Sequence, residues 1–566
     1  MEVVKSPKSY VVVTHAESMD YRRDYVTLPK NYGSSSYFQR PDIRGIQEAV
    51  EKNLQDLDSK TGFTRQIANR KVVIKPNLVL VYSGMGTLGN TYPQTTDPRV
   101  LDSVILFLKR YTQHIVIAES SGRGMPTHGS FKVAGIDRLA RYHGVELMAL
   151  EEQPTDRYIL PKAKVHKEIV VPRIFSEVAA EDAFYISIPK MKTNLYTGVT
   201  LGFKNAMGTI PYNLRQRNHN FNLDQKLVDM LYLFKPNLTI IDGIIGGQGN
   251  CPAPVEPVDS HVIISGNHAV ETDRVAARMM GFDPDEINLI RIAGEMGFGD
   301  PQVEVIGDQK VIPFQPADPS LTNDAFHDSF PNVHVLIGHD KRHAPVYTCL
   351  EECAQRNVVG EMEQVCRGGC LALTRFGFEM LRYEGARLDF KLTVIIGAGS
   401  VINDCGETSG KTDRYYFDRD GKTYTMDDIA RIKTKKLAVG SCTQNLKSVV
   451  DTQIDGCMPY PNSSHVAIHR LVGHFCRVMT PKNRHLFPLL FATFQTCEKR
   501  KSQIRAGNRL DVDLKLDDRI VEPRSLTTLE QQKDFIRWDP EPLTEKEIRD
   551  LTAIENRAVL ASLIGG

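Results

Sequence analysis

Short β-branched runs alternate with stretches of helical period through the first half of the chain. "KVVIK" at 71–75, "HIVIAE" and "VELMAL" have the length and composition of strands, as do "AFYISIP", "NLTIID" and "HVIISG" further on. Between them, "DPRVLDSVILFLKRY" puts Leu101, Val104, Ile105 and Leu108 on one helical face. "FKVAGIDRLARYHG" predicts a helix closed by Gly144, and "AVETDRVAARMMG" one closed by Gly281. Strands alternating with helices of this length predict parallel βαβ units. The expected fold class is therefore α/β, with mostly parallel sheets and helices on both faces.

The pattern breaks at 315–333, a polar, proline-bearing stretch, and a second α/β pattern follows. It comprises "VHVLIGH", a long helix through roughly 348–383, "KLTVIIGAGS", a hairpin-like "RYYFDRDGKTYTM" and "KLAVGS". After about 498 the chain turns polar and charged. Near its end Thr544 and Glu547 have capping-box spacing, and Ile548, Leu551 and Ile554 mark one face of a helix. The predicted organisation is an α/β domain over 1–320, a second over 330–498, and an extension over 499–566 that ends in a helix.

Composition narrows the classes. A chain of 566 residues exceeds what one core usually serves. With 41% hydrophobic residues, 25% charged residues and a net charge of +1, it lacks the basic excess of a nucleic-acid binder. No run reaches the roughly 18 apolar residues of a membrane span, and the N-terminus has no secretory pattern, so a cytoplasmic location is expected. Of ten cysteines, one (Cys251) precedes residue 300 and nine lie between 349 and 497, so the halves differ in chemistry.

The loops after the strands hold the unusual residues. Lys75 and Asn77 end the first strand, and Thr95, Thr96 and Asp97 precede a helix, where they are anion ligands or helix caps. Ser120 and Ser121 open a Ser/Gly loop whose N–H groups suit an anion, although it lacks P-loop or dinucleotide spacing. Lys190, Lys192, Lys204, Asn205, Arg217 and His219 crowd the stretch from "IPKMKTN" to "RQRNHNF". Arg forks clamp carboxylate or phosphate, Lys supplies a movable charge, and cationic neighbours depress a lysine toward general-base work. His219 fits an acid, a base, a metal ligand or an idle loop position. Asn250 and Cys251 follow a glycine-rich stretch, "IIDGIIGGQGNCPAP", read as a loop after its strand.

"VVIKPNLV", "TTDPRVLDSVI", "IAESSG", "ISIPKMKTNLYTGVTLGFKNAMGTIP", "IIDGIIGGQGNCP" and "AVETDRVAARMMGFDPDEI" stand in this order over about 65–300. Together they resemble the family called "domain of unknown function 362". The chain departs from the family's Gly-Asn-Gly-Pro turn by carrying Cys251, and it lacks the ferredoxin-type cysteine run of many relatives. A fold-level resemblance to nickel-pincer lactate racemases implies Lys204 as the anchor of a nickel-pincer nucleotide. It also implies His219 as the metal ligand and Lys192 near the place of the base.

In the second half, Cys349 with Cys353 and Cys366 with Cys370 are i, i+4 pairs, either thiolate ligands of a zinc or iron–sulfur site or helix-core residues. Cys442 in "AVGSC" and Cys457 in "IDGCMPYP" are ordinary loop cysteines or, since both segments resemble the cluster loops of hydrogenase small subunits, cluster ligands or redox thiols.

These readings converge on an enzyme for a small anionic carboxylate, acting by proton transfer as an isomerase or racemase. Lys204, His219 and Lys192 are its catalytic candidates. Lys75, Asn77, Thr95, Thr96, Ser120, Ser121, Lys190, Asn205, Arg217 and Asn250 are its binding candidates, with Glu119 or Asp242 as partner acid or base. The alternatives are an iron–sulfur electron-transfer protein and a non-catalytic anion- or cofactor-binding subunit. His219, Cys442 and Cys457 are the metal candidates, for a lone metal, the pincer nucleotide or an iron–sulfur cluster. The expected partner is a small anionic molecule, with room for a homo-oligomer and with no nucleic acid and no membrane.

Overall fold

The computed structural model describes residues 8–22, 27–79, 94–122, 126–210, 222–251, 255–317, 327–338, 346–347, 370–403, 412–456, 459, 461–475, 486–511, 526–539 and 541–564. The chain forms two compact units. The first comprises Met1–Leu214, Asn222–Ala317 and Phe487–Asn556, and the second Arg215–Phe221, Asp318–Leu486 and Arg557–Gly566.

The first unit is built on one large sheet. Across it the strands run Glu304–Ile306, Tyr10–His15, Val262–Gly266, Leu238–Gln248, Ala183–Ile188, Lys71–Pro76, Ile115–Glu119 and Glu146–Ala149. From Leu238–Gln248 to Glu146–Ala149 every neighbouring pair is parallel, whereas Val262–Gly266 pairs antiparallel with both of its neighbours. Alternation sends Val73, Tyr185 and Ile241 into one core and Val72, Ile74, Phe184 and Ile186 into the other. Burial on both faces explains why these strands read as unbroken apolar runs. The helix Pro98–Leu108 covers one face through Leu101, Val104, Ile105 and Leu108.

Two local readings change. The helix expected over "FKVAGIDRLARYHG" is two helices, Thr127–Ala134 and Ile136–His143, broken at Gly135 with φ +76°. A Cβ at Gly135 would also lie 3.2 Å from the Leu28 backbone nitrogen, so glycine serves both the turn and the contact. The glycines after Asp242 do not open a loop, because the strand continues through them to Gln248. Their role is space: a Cβ at Gly243 would meet Met191 Sδ at 2.8 Å, and one at Gly246 would meet Phe314 at 2.4 Å.

The C-terminal segment adds to this unit. Strand Ile536–Trp538 pairs antiparallel with Thr155–Ile159, and Arg500 is buried against Asp511, Glu555 and the Glu151 carbonyl. Thr544 and Glu547 cap the helix Glu545–Ile564 reciprocally.

In the second unit, Val333–Ile337, Leu392–Ile396, Lys435–Val439 and Thr452–Ile454 form a parallel sheet. Thr412–Phe417 lies antiparallel to Ser400–Asn403 and Thr423–Tyr424. The helices Ala372–Tyr383 and Pro461–Val472 bring Phe378, Leu381, Ile468 and Leu471 into its core. No helix among the described residues is long and apolar enough to cross a membrane.

Candidate functional site

The carboxyl ends of the parallel strands in the first unit carry the charged residues, the edge at which open α/β sheets bind ligands. Lys75, near the end of Lys71–Pro76, lies 2.9 Å from Glu119 Oε1, at the end of the neighbouring strand. Its ammonium also donates to Asn205 Oδ1 at 2.9 Å and to the Pro76 carbonyl at 3.0 Å. Asn205 in turn donates to the Lys75 carbonyl and to Ser187 Oγ, and it accepts from Asn77 Nδ2. Gly208 completes this wall, since a Cβ there would sit 2.6 Å from Lys75 Nζ and 2.7 Å from Glu119 Oε1.

Two further lysines extend inward along the strand Lys190–Asn194. Lys190 Nζ lies 2.8 Å from Asp242 Oδ2, with neither side chain exposed. Burial pushes Lys190 down and Asp242 up, so both move toward the neutral pair. Asp242 also accepts from the Asp97 backbone nitrogen. Asp97 is the N-cap of Pro98–Leu108, where it accepts from the Arg99 nitrogen and holds the buried Arg99 guanidinium together with Asp42.

Lys192 has a different environment. Its ammonium donates to Asn77 Oδ1 at 2.9 Å and to the Gln94 carbonyl at 2.6 Å, and among the described residues it pairs with no carboxylate. Those are two of the three hydrogen bonds an ammonium can donate. Burial, reinforced by the charges of Lys204, Lys190 and Lys75, brings Lys192 down to about 7. The neighbouring Cys251 is itself pushed up to about 11 by burial.

Lys204 is half-buried and ends the one-turn helix Leu201–Lys204. Asp273, buried on the helix Ala269–Met279, fixes that turn by accepting from the Gly202 and Phe203 nitrogens. A Cβ at Gly202 would lie 2.6 Å from Asp273 Oδ1, so glycine is required for the contact. Burial raises Asp273 to about 8, and it raises Asp224, close enough to feel the Lys204 charge, to about 6.

Residues 72–278 match the family model "Domain of unknown function (DUF362)". The matched segment spans Lys75, Glu119, Lys190, Lys192, Asn205, Asp242 and Asp273, the frame of the lysine cluster. The thylakoid-associated protein sll1697 of Synechocystis sp. is similar over 136 residues at 24% identity, covering 23% of this chain. The chain spans 42% of that relative's length. No solved structure matches the chain.

Lys75, Asn77, Lys190, Lys192 and Asn205 thus meet in one buried network. Thr96 joins it, accepting from the Asn77 nitrogen and donating to the Ile188 carbonyl, while Thr95 donates to the Val79 carbonyl. Ser121 is buried against Ser130 and the Leu78 carbonyl, with buried Ser120 beside it. Asn250 is half-buried beside Cys251, whose side chain fits the turn that glycine was expected to require and accepts from Thr193 Oγ1 at 3.6 Å. Arg217, His219 and Cys457 lie outside the described residues, as do Cys349, Cys353 and Cys366. Cys442 is half-buried in the second unit.

Asp273 and Gly208 were not singled out from sequence, although both shape the lysine site. Asp273 sits in "AVETDRVAARMMG", where helical period alone gives no hint of its partner. A second missed group lies in the second unit, where Glu384, His465 and His469 converge. Its signal was present in "HVAIH", two histidines one helical turn apart.

Proposed function

We propose that the first unit is an enzyme acting on a small anionic carboxylate, with Lys192 moving a proton at the carbon next to the carboxylate. The observation behind this reading is Lys192 itself, a buried lysine brought to about 7 with two neutral acceptors and no carboxylate partner among the described residues. A base poised near neutrality serves proton transfer best. Among the described residues, the four lysines Lys75, Lys190, Lys192 and Lys204 stand with four carboxylates that act on them, Glu119, Asp242, Asp97 and Asp224. An incoming anion is favoured by the charge of the half-buried Lys204 and oriented by the Asn77 and Asn205 amides.

The test is hydrogen–deuterium exchange at the α-carbon of a panel of small 2-hydroxy and 2-amino carboxylates in D2O, followed by proton NMR. The expected result is exchange of at least one member by the full chain, rising with pH through about 7, and its loss in Lys192→Met. A wild-type chain that exchanges none, or a Lys192→Met chain that exchanges equally, removes the reading.

A second reading, an iron–sulfur site in the second unit, rests on a separate observation. Cys370 Sγ lies 3.0 Å from the Cβ position of Gly440, and the Ser441 nitrogen donates to the Gly456 carbonyl at 3.1 Å. Cys370, the turn Gly440–Ser441 that precedes Cys442, and Gly456 are thereby neighbours. Iron and acid-labile sulfide measured after anaerobic purification decide it, and a chain that holds neither ends it.

A further inference from the structure

We propose that the second unit holds a single divalent transition metal between Glu384, His465 and His469, with zinc the ion that fits this donor set best. His465 and His469 lie one turn apart on the helix Pro461–Val472, so both rings leave the same face. Their ring centroids are 3.9 Å apart. Glu384 follows the last residue of the helix Ala372–Tyr383. The two helices meet closely, because a Cβ at Gly377 would lie 2.4 Å from Ile468 Cδ1. That contact brings the carboxylate onto the imidazoles: His469 Nε2 lies 3.1 Å from Glu384 Oε2, and His465 Nε2 lies 3.6 Å from Glu384 Oε1.

Hydrogen bonds among the described residues engage both ring nitrogens of His469 but leave His465 and His474 Nε2 without partners. His469 Nδ1 lies 2.8 Å from the His465 carbonyl, which can only accept, so Nδ1 carries the proton. In the neutral ring, Nε2 is then a lone pair directed at a carboxylate oxygen. His465 is 1% exposed, yet among the described residues neither of its ring nitrogens has a hydrogen-bond partner. His474 Nε2 also lies 3.4 Å from Glu384 Oε2 without a hydrogen bond. Buried polar atoms in folded proteins are normally paired, and acceptors that converge on one point call for a cation.

The separations suit a metal. Ligands bound to zinc at about 2.0–2.1 Å in a tetrahedron stand roughly 3.3 Å apart. The imidazole nitrogens stand 3.1 Å from Glu384 Oε2 and 3.6 Å from Glu384 Oε1, and one donor atom from each of the three residues lies within 4.8 Å of the others. A backbone carbonyl on the far ring nitrogen, as on His469, is the outer contact that fixes a metal-binding tautomer. Three protein donors leave a fourth position, to be taken by water or by the half-exposed His474, whose Nε2 lies 3.4 Å from Glu384 Oε2.

The full chain, stripped with a chelator, is titrated with Co(II) and then with Zn(II). One equivalent of Co(II) is expected to give visible d–d bands without the near-ultraviolet thiolate band that cysteine ligation adds, and Zn(II) is expected to displace it. Glu384→Gln and His469→Gln are expected to weaken binding by at least ~100-fold, more than loss of an outer contact costs. Long-range nitrogen–proton NMR of the wild type tests the same claim without variants, since Zn(II) must shift the ring nitrogens of His465 and His469. The proposal fails if the wild type takes up no equivalent, if the thiolate band appears, if Zn(II) leaves those ring signals unmoved, or if folded variants bind as well as wild type.

Discussion

The Lys75 ammonium stands 2.9 Å from Glu119 Oε1, and each side chain is 1% exposed. Among the described residues, Glu119, Asn205 Oδ1 and the Pro76 carbonyl all accept from that ammonium. Glu119 Oε2 also accepts from the Leu78 nitrogen, so the pair ties two strand ends and the loop between them. Lys192 differs from Lys75, since among the described residues it has two neutral acceptors and no ion-pair partner. Lys75 is a strut, and Lys192 is the group with capacity left.

Removing one member of a buried pair strands the other charge. Lys75→Met is therefore expected to destabilise the fold by about 3–5 kcal/mol, and Lys75→Met combined with Glu119→Leu by less than the sum of the single changes. Urea unfolding of the two single variants and the double variant measures the coupling. Additive losses would show that the two charges do not support each other.

Gly208 has no room for a methyl group, because the Cβ would fall 2.6 Å from Lys75 Nζ and 2.7 Å from Glu119 Oε1. Gly208→Ala is expected to cost about 1–3 kcal/mol, as overpacking does. Much of that loss should disappear in a Lys75→Met background, where the flexible side chain can yield. The same urea series reads both numbers, and an equal loss in the two backgrounds would place the strain elsewhere.

What the sequence made legible follows from how each feature is encoded. Strand Lys71–Pro76 is buried on both faces, so "KVVIK" announces itself by composition alone. Lys192 and Asn77 were recognisable because polar residues at the ends of such strands have few structural reasons to be there. Gly135 and Gly246 misled in opposite directions. The first breaks a helix through its left-handed φ, and the second sits inside a strand because Phe314 occupies the space of its side chain. Contacts with residues far along the chain, such as Asp273 on the Gly202 nitrogen, leave no local periodicity. The convergence of Glu384 with His465 is of the same kind, since 81 residues of chain separate them.

Lys192 gives a pH signature with a definite sign. Its folded value of about 7 lies below the ordinary 10.5, so between those values the unfolded chain binds a proton that the native chain does not. Stability credited to this residue therefore rises with pH across that window, with a limiting slope of ~1.4 kcal/mol per pH unit. Relative to Lys192→Met, the wild type should gain stability as pH climbs from about 7 toward 10. Urea midpoints of both proteins across that range provide the check, and a constant difference would mean that Lys192 titrates normally.

Asp273 carries the opposite sign. Burial raises it to about 8 from an ordinary 3.8, so between those values the native chain holds a proton that the unfolded chain releases. Its contribution is fully present below the unfolded value and is lost as pH rises through the folded one. Asp273→Asn keeps the size and one amide acceptor but cannot ionise, so wild type should fall toward or below the variant as pH rises from about 4 to 8. Asp273→Ala removes both acceptors from the Gly202 and Phe203 nitrogens and should cost about 1–3 kcal/mol at any pH in this range. Because that turn ends at Lys204, loosening it should also broaden the Lys204 side-chain signals in NMR. If Asp273→Ala proved neutral, Asp273 would not be what holds the Lys204 turn in place.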